Sequence, residues 1–194
     1  MTSRWLVDVA GRKGVTITWR TFSLALLNED QEPPPELLAA VPDLPARQSL
    51  GLQILRVVES LRQADRNDDV GRLYTECGHR IHVRGDPPAP AVLEEAGAAA
   101  GVQDHLEARD DDSRDRLLRA SLDEAMDRAG PDIGSPVLVL DGGARGGFGP
   151  IVSPPPQGDD AARLWEAVVA LHAIPEFLEL KRGRTGPPSI PGRG

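Results

Sequence analysis

Apolar and polar residues alternate along residues 15–22, a segment rich in β-branched and aromatic side chains. A period of two is the spacing of the side chains on one face of a β-strand. The pattern therefore predicts a strand with Val15, Ile17 and Trp19 facing inward. A loop or short turn is expected to follow at residues 23–29.

A second apolar run, residues 137–140, begins directly after Pro136. Proline has no N–H to give to a ladder, so within sheets it fits at the first residue of a strand. Four consecutive aliphatic residues predict a strand that is buried on both faces. Asp141-Gly142 is a hairpin signal, so residues 148–152 are predicted to return as the paired strand.

Apolar residues recur at helical spacing through most of the remaining chain. Five helices are predicted between the strands, at residues 47–64, 70–82, 89–100, 102–107 and 113–128. Another is predicted at the start, with stop signals at Gly11 and Gly14, and one more at residues 159–173. This order predicts an α/β frame with a helical insertion between about residues 32 and 130.

Charge and composition narrow the classes of partner. The 194 residues carry a net charge of −8 and show no basic stripe, so nucleic-acid binding is not expected. No apolar run is long enough to span a bilayer, and no signal peptide opens the sequence. We therefore expect a cytoplasmic location and no association with membranes.

Cys77 is the single cysteine of the sequence. One cysteine excludes an intramolecular disulfide, a Cys-x-x-Cys redox pair and a zinc site made of several thiolates within these residues. Cys77 shares a predicted helix face with Leu73, Tyr74 and Ile81. That position favours inert packing in the core over nucleophilic chemistry.

The other polar candidates are weak when taken alone. His79 and His82 lie three residues apart, but the sequence places no third ligand beside them, so helix-end histidines are favoured and no metal is expected. Asn28 follows the first predicted strand, where a turn residue that bonds its own backbone is favoured over a ligand contact. The acidic run at residues 110–112 is interpreted as a solvated helix cap.

Several short segments, taken together and in order, resemble those of a known protein family. They are Thr2-Ser3-Arg4-Trp5, Ser23-Leu24, Leu27-Asn28-Glu29, Gly78, Arg80-Ile81-His82, Gly134-Ser135-Pro136, Phe148-Gly149-Pro150, Ser153, Leu164-Trp165, Phe177, Glu179-Leu180-Lys181-Arg182 and Arg184-Thr185. This ordered set resembles the actinobacterial mycothiol-dependent nitroreductase group of the DsbA-like, thioredoxin-fold proteins.

The resemblance implies a fold and a domain arrangement. It implies an α/β, thioredoxin-like core formed by residues 1–31 and 131–182. An all-α insertion would occupy residues 32–130, and residues 183–194 would form a flexible tail.

The resemblance also implies a site. Pro136 would be the cis-proline that faces the redox motif, and Ser135 would present its backbone to the bound thiol or substrate. Asn28 and His82 would line the active-site cleft, and Asn28, His82 and Ser135 would contact mycothiol. Mycothiol would be a thiol co-substrate and not a bound cofactor, the second substrate a small molecule or a disulfide, and the protein a homodimer.

The sequence departs from the group at its start. In the group, a first β-strand ends in a Cys-Pro-x-x motif just before the helix that carries the segment Thr2-Ser3-Arg4-Trp5. Here Met1 falls inside that helix, so the first strand and the nucleophilic cysteine are expected to be missing, and no catalytic residue is expected among the 194. The hypothesis is that Met1 is an internal methionine of a longer natural chain, which the codons upstream would test.

Three functions follow from the resemblance and the departure. The leading one is a thiol-disulfide oxidoreductase or mycothiol-dependent reductase. The second is a catalytically inactive DsbA-like protein that keeps the cleft and only binds. The third is a relative of glutathione transferases or isomerases on the same scaffold.

Overall fold

The computed structural model describes residues 1–140, 143 and 145–183. Within these residues the fold is mixed and mostly helical, with a two-stranded sheet. The elements are α1 Thr2–Lys13, α2 Leu24–Leu27, α3 Pro35–Ala40, α4 Leu44–Gln63, α5 Asn67–Gly78, a π-helix His79–Arg84, α6 Pro90–Ala100, 3₁₀-helices Gln103–Asp110 and Asp112–Arg114, α7 Asp115–Ala129, β1 Val137–Val139, β2 Gly146–Phe148 and α8 Gly158–His172.

The chain forms two compact units, which are described separately. The first unit contains Met1–Thr18 and the described residues from Ala125 onward. The second unit contains Trp19–Glu124. Among the described residues, no helix combines the length and the apolar character that crossing a membrane requires.

A small apolar cluster holds the first unit together. Its buried members come from α1, β1 and α8, and are Trp5, Val9, Leu138, Ala161 and Val168. The Trp5 ring is fully buried and packs 6.2 Å from the ring of Trp165. Gly14 ends α1 in the left-handed conformation with φ of 67°, which glycine adopts without a steric penalty.

β1 and β2 form an antiparallel hairpin in the first unit. Val137 pairs with Phe148, and Val139 pairs with Gly146. The predicted hairpin is confirmed, but the predicted return strand at residues 148–152 is wrong. β2 ends at Phe148, and Pro150 has no N–H with which to continue a ladder. The predicted turn, Asp141-Gly142, lies outside the described residues.

Burial of β1 differs from the prediction that both faces are covered. Leu138 is buried, whereas Val137 and Val139 are half-buried. After α8, residues 173–183 carry no helix. Of the predicted tail, residues 184–194 lie outside the part of the chain that the structure describes.

Residues 15–22 keep the predicted alternation but not the predicted strand. Val15, Ile17 and Trp19 are half-buried, while Thr16 and Thr18 between them are exposed. Residues 14–23 are assigned to neither a helix nor a strand. Alternating burial is set by the side chains, whereas a strand also needs a backbone partner at ladder distance. The prediction of a strand here is therefore wrong.

Helices build the second unit, as the periodicity predicts. α4, α5, α6 and the 3₁₀-helix Gln103–Asp110 enclose an apolar core. Its buried residues are Leu50, Ile54, Val57, Val58, Leu61, Val70, Leu73, Cys77, Val92, Leu93, Ala96, Ala100, Val102 and Ala108. The helix predicted at residues 102–107 is a 3₁₀-helix, and the one predicted at residues 70–82 continues from α5 into the π-helix.

A buried polar cluster also joins elements of the second unit. The Glu59 side chain on α4 is buried and accepts hydrogen bonds from Thr21 Oγ1 and from the Arg62 guanidinium. Ser121 on α7 donates from Oγ to the carbonyl oxygen of Thr21 at 2.7 Å. Residue 21 is thereby fixed to both helices, because a buried carboxylate and a buried hydroxyl each need a partner.

Candidate functional site

Ser135 and Pro136 enter β1 in the first unit, and the peptide bond between them is cis. Ser135 is exposed and Pro136 is half-buried. The Pro136 carbonyl oxygen accepts the N–H of Gly149 at 2.8 Å, so Pro136 is tied to the residue that directly follows β2. Ser135, one residue earlier, is the member of the pair that a ligand can reach.

The end of the same hairpin is fixed to α1. Thr2 is buried and donates from Oγ1 to the carbonyl oxygen of Pro150 at 2.7 Å. The first turn of α1 therefore binds Pro150 after β2, while Gly149, also after β2, binds Pro136 before β1. Two hydrogen bonds from outside the strand ladder thus position the segment around Pro136.

Asn28 ends the short helix α2 in the second unit. Its Nδ2 donates to the carbonyl oxygen of Leu24 at 2.8 Å, and its side chain is exposed. At the other end of α2, Ser23 Oγ accepts the N–H of Leu26 at 3.2 Å, as a helix N-cap does. The interpretation of Asn28 as a residue that bonds its local backbone is therefore confirmed.

His82 lies in the π-helix His79–Arg84 of the second unit, and its side chain is exposed. The π-helix ends at Gly85, which has a φ of 74°. π-Helical turns inside longer helices occur frequently at functional sites. His79 is exposed too, and within the described residues no three His, Cys, Asp or Glu side chains are placed to hold a metal ion.

Arg80 anchors this π-helix. Its side chain is buried, and its guanidinium pairs with Glu76 at 2.6 Å and donates to the carbonyl oxygen of Glu95 on α6 at 3.2 Å. The hydrogen bond that Arg80 donates to the Glu76 carboxylate raises the pKa of Arg80 above its ordinary value. Reasoning from the sequence did not identify this anchor, although the i,i+4 spacing of Glu76 and Arg80 was a usable signal.

Cys77 is a core residue, as the sequence predicts. Its side chain is 3% exposed, and burial raises the pKa of the thiol to about 12. Only about one thiol in 10⁵ would then be ionised at neutral pH, and the thiolate is the nucleophilic form. Cys77 is therefore unsuited to thiol–disulfide chemistry.

The four predicted site residues divide between the two units. Ser135 and Pro136 belong to the first unit, and Asn28 and His82 belong to the second. Each unit has at least one predicted site residue with an exposed side chain. In the first unit it is Ser135, and in the second unit these are Asn28 and His82. That all four line one cleft stays a prediction.

Comparison with known proteins gives two findings. The profile of the family described as "Rv2466c-like: Mycothiol-dependent nitroreductase Rv2466c" matches residues 1–182. A Mycobacterium tuberculosis protein described as "Uncharacterized protein Rv2286c" is 32% identical over 191 residues, which cover 95% of this chain and 76% of that protein. The similarity to both extends through the two units.

Proposed function

Because the chain belongs to the Rv2466c-like mycothiol-dependent nitroreductase family, we propose that it is a mycothiol-dependent reductase of the DsbA-like, thiol-disulfide oxidoreductase type. The observation that carries the proposal is the family match over residues 1–182, which includes both units. A cytoplasmic location, a homodimeric state, and a small-molecule or disulfide substrate are part of the proposal.

The proposed fold is a thioredoxin-like core, residues 1–31 and 131–182, with a helical insertion at residues 32–130. The packing of α1 and α8 against Leu138 of β1 supports a core that mixes helices and strands. The helical elements of the second unit support an insertion that is all α-helical. Neither observation identifies the thioredoxin topology, so the topology belongs to the proposal.

The proposed reaction consumes thiols in pairs. Two-electron reduction of a nitro group to a nitroso group oxidises two thiols to one disulfide and releases one water molecule. Cys77 is buried with a raised pKa, so it supplies neither thiol. We assign no catalytic nucleophile to any of the 194 residues, so both thiols come from two mycothiol molecules, which leave as one mycothiol disulfide.

The proposed supporting residues are Ser135, Pro136, Asn28 and His82. Ser135 offers its backbone to the bound thiol beside the cis peptide bond, and Pro136 faces the reacting sulfur. Asn28 and His82 contact mycothiol through an amide and an imidazole, groups that both donate and accept hydrogen bonds. Exposure of Ser135, Asn28 and His82 supports these assignments.

A second candidate function is binding without catalysis. The specific observation in its favour is the burial of Cys77, the single cysteine in the sequence. In that case the same residues would hold a thiol or a peptide, and no electrons would be transferred.

Turnover with purified protein separates the two functions. We expect reduced mycothiol to be consumed in the presence of 4-nitrobenzamide, with two thiols lost for each nitro group reduced to nitroso. Cys77→Ala is the matched control and should keep the activity. Glutathione in place of mycothiol tests the thiol preference. No turnover with any low-molecular-weight thiol would overturn the reductase and leave the binding protein.

A further inference from the structure

A serine, a histidine and an aspartate lie together in the second unit, where α4 packs on the 3₁₀-helix Gln103–Asp110. Ser60 Oγ lies 2.8 Å from Nδ1 of His105, and Nε2 of His105 lies 3.7 Å from Oδ2 of Asp104. Ser60 is half-buried, and the His105 side chain is 16% exposed. A nucleophile, a base and a carboxylate that act together are recognised by such geometry and not by their order in the sequence.

The neighbours of His105 determine which of its ring nitrogens accepts a proton. Arg66 Nη1 donates to Oδ2 of Asp104 at 2.8 Å, which holds the carboxylate beside the ring. The carboxylate attracts an N–H on the nearer nitrogen, Nε2, so Nδ1 keeps a lone pair for the Ser60 hydroxyl. A neutral imidazole in this tautomer is a general base that faces the serine oxygen.

The Ser60 hydroxyl differs from that of most serines inside a helix. Such a serine commonly bonds back to the carbonyl oxygen four residues earlier. In the part of the chain that the structure describes, Ser60 Oγ bonds to His105 and not to the carbonyl oxygen of Arg56. The Ser60 oxygen is therefore directed away from its own helix and toward a base, as an activated nucleophile requires.

Gln63 provides a hydrogen-bond donor on the same face of α4. It follows Ser60 by three residues, and residues three apart are neighbours on a helix surface. Its Oε1 accepts Nη1 of Arg114 at 2.6 Å, and because arginine only donates, this contact fixes the orientation of the amide. Gln63 is exposed, and among the described residues its side-chain NH₂ has no partner. The amide can therefore donate to an oxyanion that forms beside Ser60.

We propose that Ser60 is an acyl-accepting nucleophile with His105 as its general base, and that this second site hydrolyses small activated esters without mycothiol. Ser60 Oγ bonds to the ester carbonyl carbon, and its proton passes to Nδ1 of His105. That proton then leaves with the alcohol as the C–O bond to the alcohol breaks. Water attacks the acyl-serine in the same way and releases the acid. The acyl group must be small, because Ser60 is half-buried between two helices.

Covalent labelling of the full 194-residue protein tests the nucleophile directly. A fluorophosphonate probe forms a P–O bond with an activated serine and releases fluoride, and peptide mass spectrometry identifies the labelled residue. We expect the label on Ser60. His105→Gln should slow this labelling about 10²-fold, because general-base catalysis contributes at least that factor. Gln63→Ala should slow it by about the same factor through loss of the oxyanion donor.

Hydrolysis of 4-nitrophenyl acetate measures the complete reaction. The parent should turn the ester over, and Ser60→Ala should abolish the turnover. Ser60→Ala should fold, because alanine is the best helix former, and His105→Gln keeps a hydrogen-bonding side chain opposite Ser60. His105→Gln therefore keeps the test valid if Ser60→Ala fails to fold.

Ser113→Ala is the matched control. Ser113 is an exposed serine whose hydroxyl bonds to Asp111 and not to an imidazole, so its removal should change neither labelling nor hydrolysis. A bond between Ser60 and His105 that only joins the two helices predicts an unreactive serine. No label on Ser60 in the parent, or equal labelling rates in the parent and His105→Gln, would therefore overturn the inference. Ester hydrolysis that survives in Ser60→Ala would overturn it as well.

Discussion

Trp5 on α1 donates its indole N–H to the carbonyl oxygen of Ala161 on α8 at 3.0 Å, inside the apolar cluster of the first unit. The bond joins residues that are 156 positions apart in the sequence. It satisfies a buried donor that would otherwise be costly, because an unpaired buried N–H loses its bond to water. α1 and α8 are therefore held together by this hydrogen bond as well as by apolar packing.

Substitution of Trp5 should destabilise the first unit strongly. We expect Trp5→Phe to lower the free energy of unfolding by about 1–3 kcal/mol through the lost hydrogen bond and lost volume. Trp5→Ala should cost about 3–5 kcal/mol. Urea denaturation followed by circular dichroism measures both. Trp165→Phe, at a half-buried position, is the control, and an equal loss in that variant would contradict the specific role of Trp5.

Gly147 and His172 provide a second test in the first unit. A Cβ on Gly147 would lie 2.6 Å from Nε2 of His172, whose Nδ1 is bonded to the Val168 carbonyl oxygen at 2.9 Å. We expect Gly147→Ala to cost about 1–3 kcal/mol, because the fixed imidazole has little freedom to move away. The measurement is again the midpoint of urea unfolding.

A double-mutant cycle isolates this contact. In a His172→Ala background the same Gly147→Ala change should cost much less, because the clashing ring is gone. Gly11→Ala, in open space on α1, should be neutral or stabilising. Additive losses from Gly147→Ala and His172→Ala would show that the ring is not the obstacle.

Periodicity predicted the helices better than it predicted the strands. The apolar positions of α4 recur every three or four residues, and a helix satisfies its backbone with its own neighbours, so local sequence is enough. The alternation at Val15, Ile17 and Trp19 is equally clear, yet no strand is assigned there. A strand depends on a partner elsewhere in the chain, which a local pattern does not contain.

At the candidate site too, local sequence predicted local contacts but not tertiary ones. Burial of Cys77 followed from its place on an apolar helix face, and the backbone bond of Asn28 followed from turn chemistry. The stacking of Trp19 on Tyr74 did not, because the two residues are brought together by tertiary packing and not by spacing. The roles proposed for Ser135 and His82 come only from resemblance, since neither local sequence holds a chemical signature.

Loss of the buried Glu59 carboxylate should destabilise the second unit. Glu59→Ala leaves the Thr21 hydroxyl and the Arg62 guanidinium without their shared acceptor in a buried setting. We expect a loss of about 2–4 kcal/mol in the free energy of unfolding. The exposed Glu36→Ala on α3 should change it by no more than about 0.5 kcal/mol. Similar losses for the two variants would show that the buried cluster contributes nothing special.

Cys77 gives the clearest pH dependence. The folded protein raises the pKa of its thiol from an ordinary 9.0 to about 12, mainly because burial disfavours the thiolate. Over that interval the folded state holds a proton that the unfolded state releases. Stability contributed by Cys77 is therefore complete below pH 9 and declines as the pH rises toward 12.

We expect the free energy of unfolding to fall by up to about 1.4 kcal/mol per pH unit across this interval because of Cys77. Cys77→Ala lacks the titrating group and should lose that part of the slope, so the difference between the two curves isolates it. Alkylation by iodoacetamide at pH 7.5 should be slow in the native protein and fast in urea, because only unfolding exposes and ionises the thiol. Rapid alkylation of the native protein would contradict a buried thiol of raised pKa, as would identical pH profiles for Cys77→Ala and the parent. Either result would make Cys77 a candidate nucleophile.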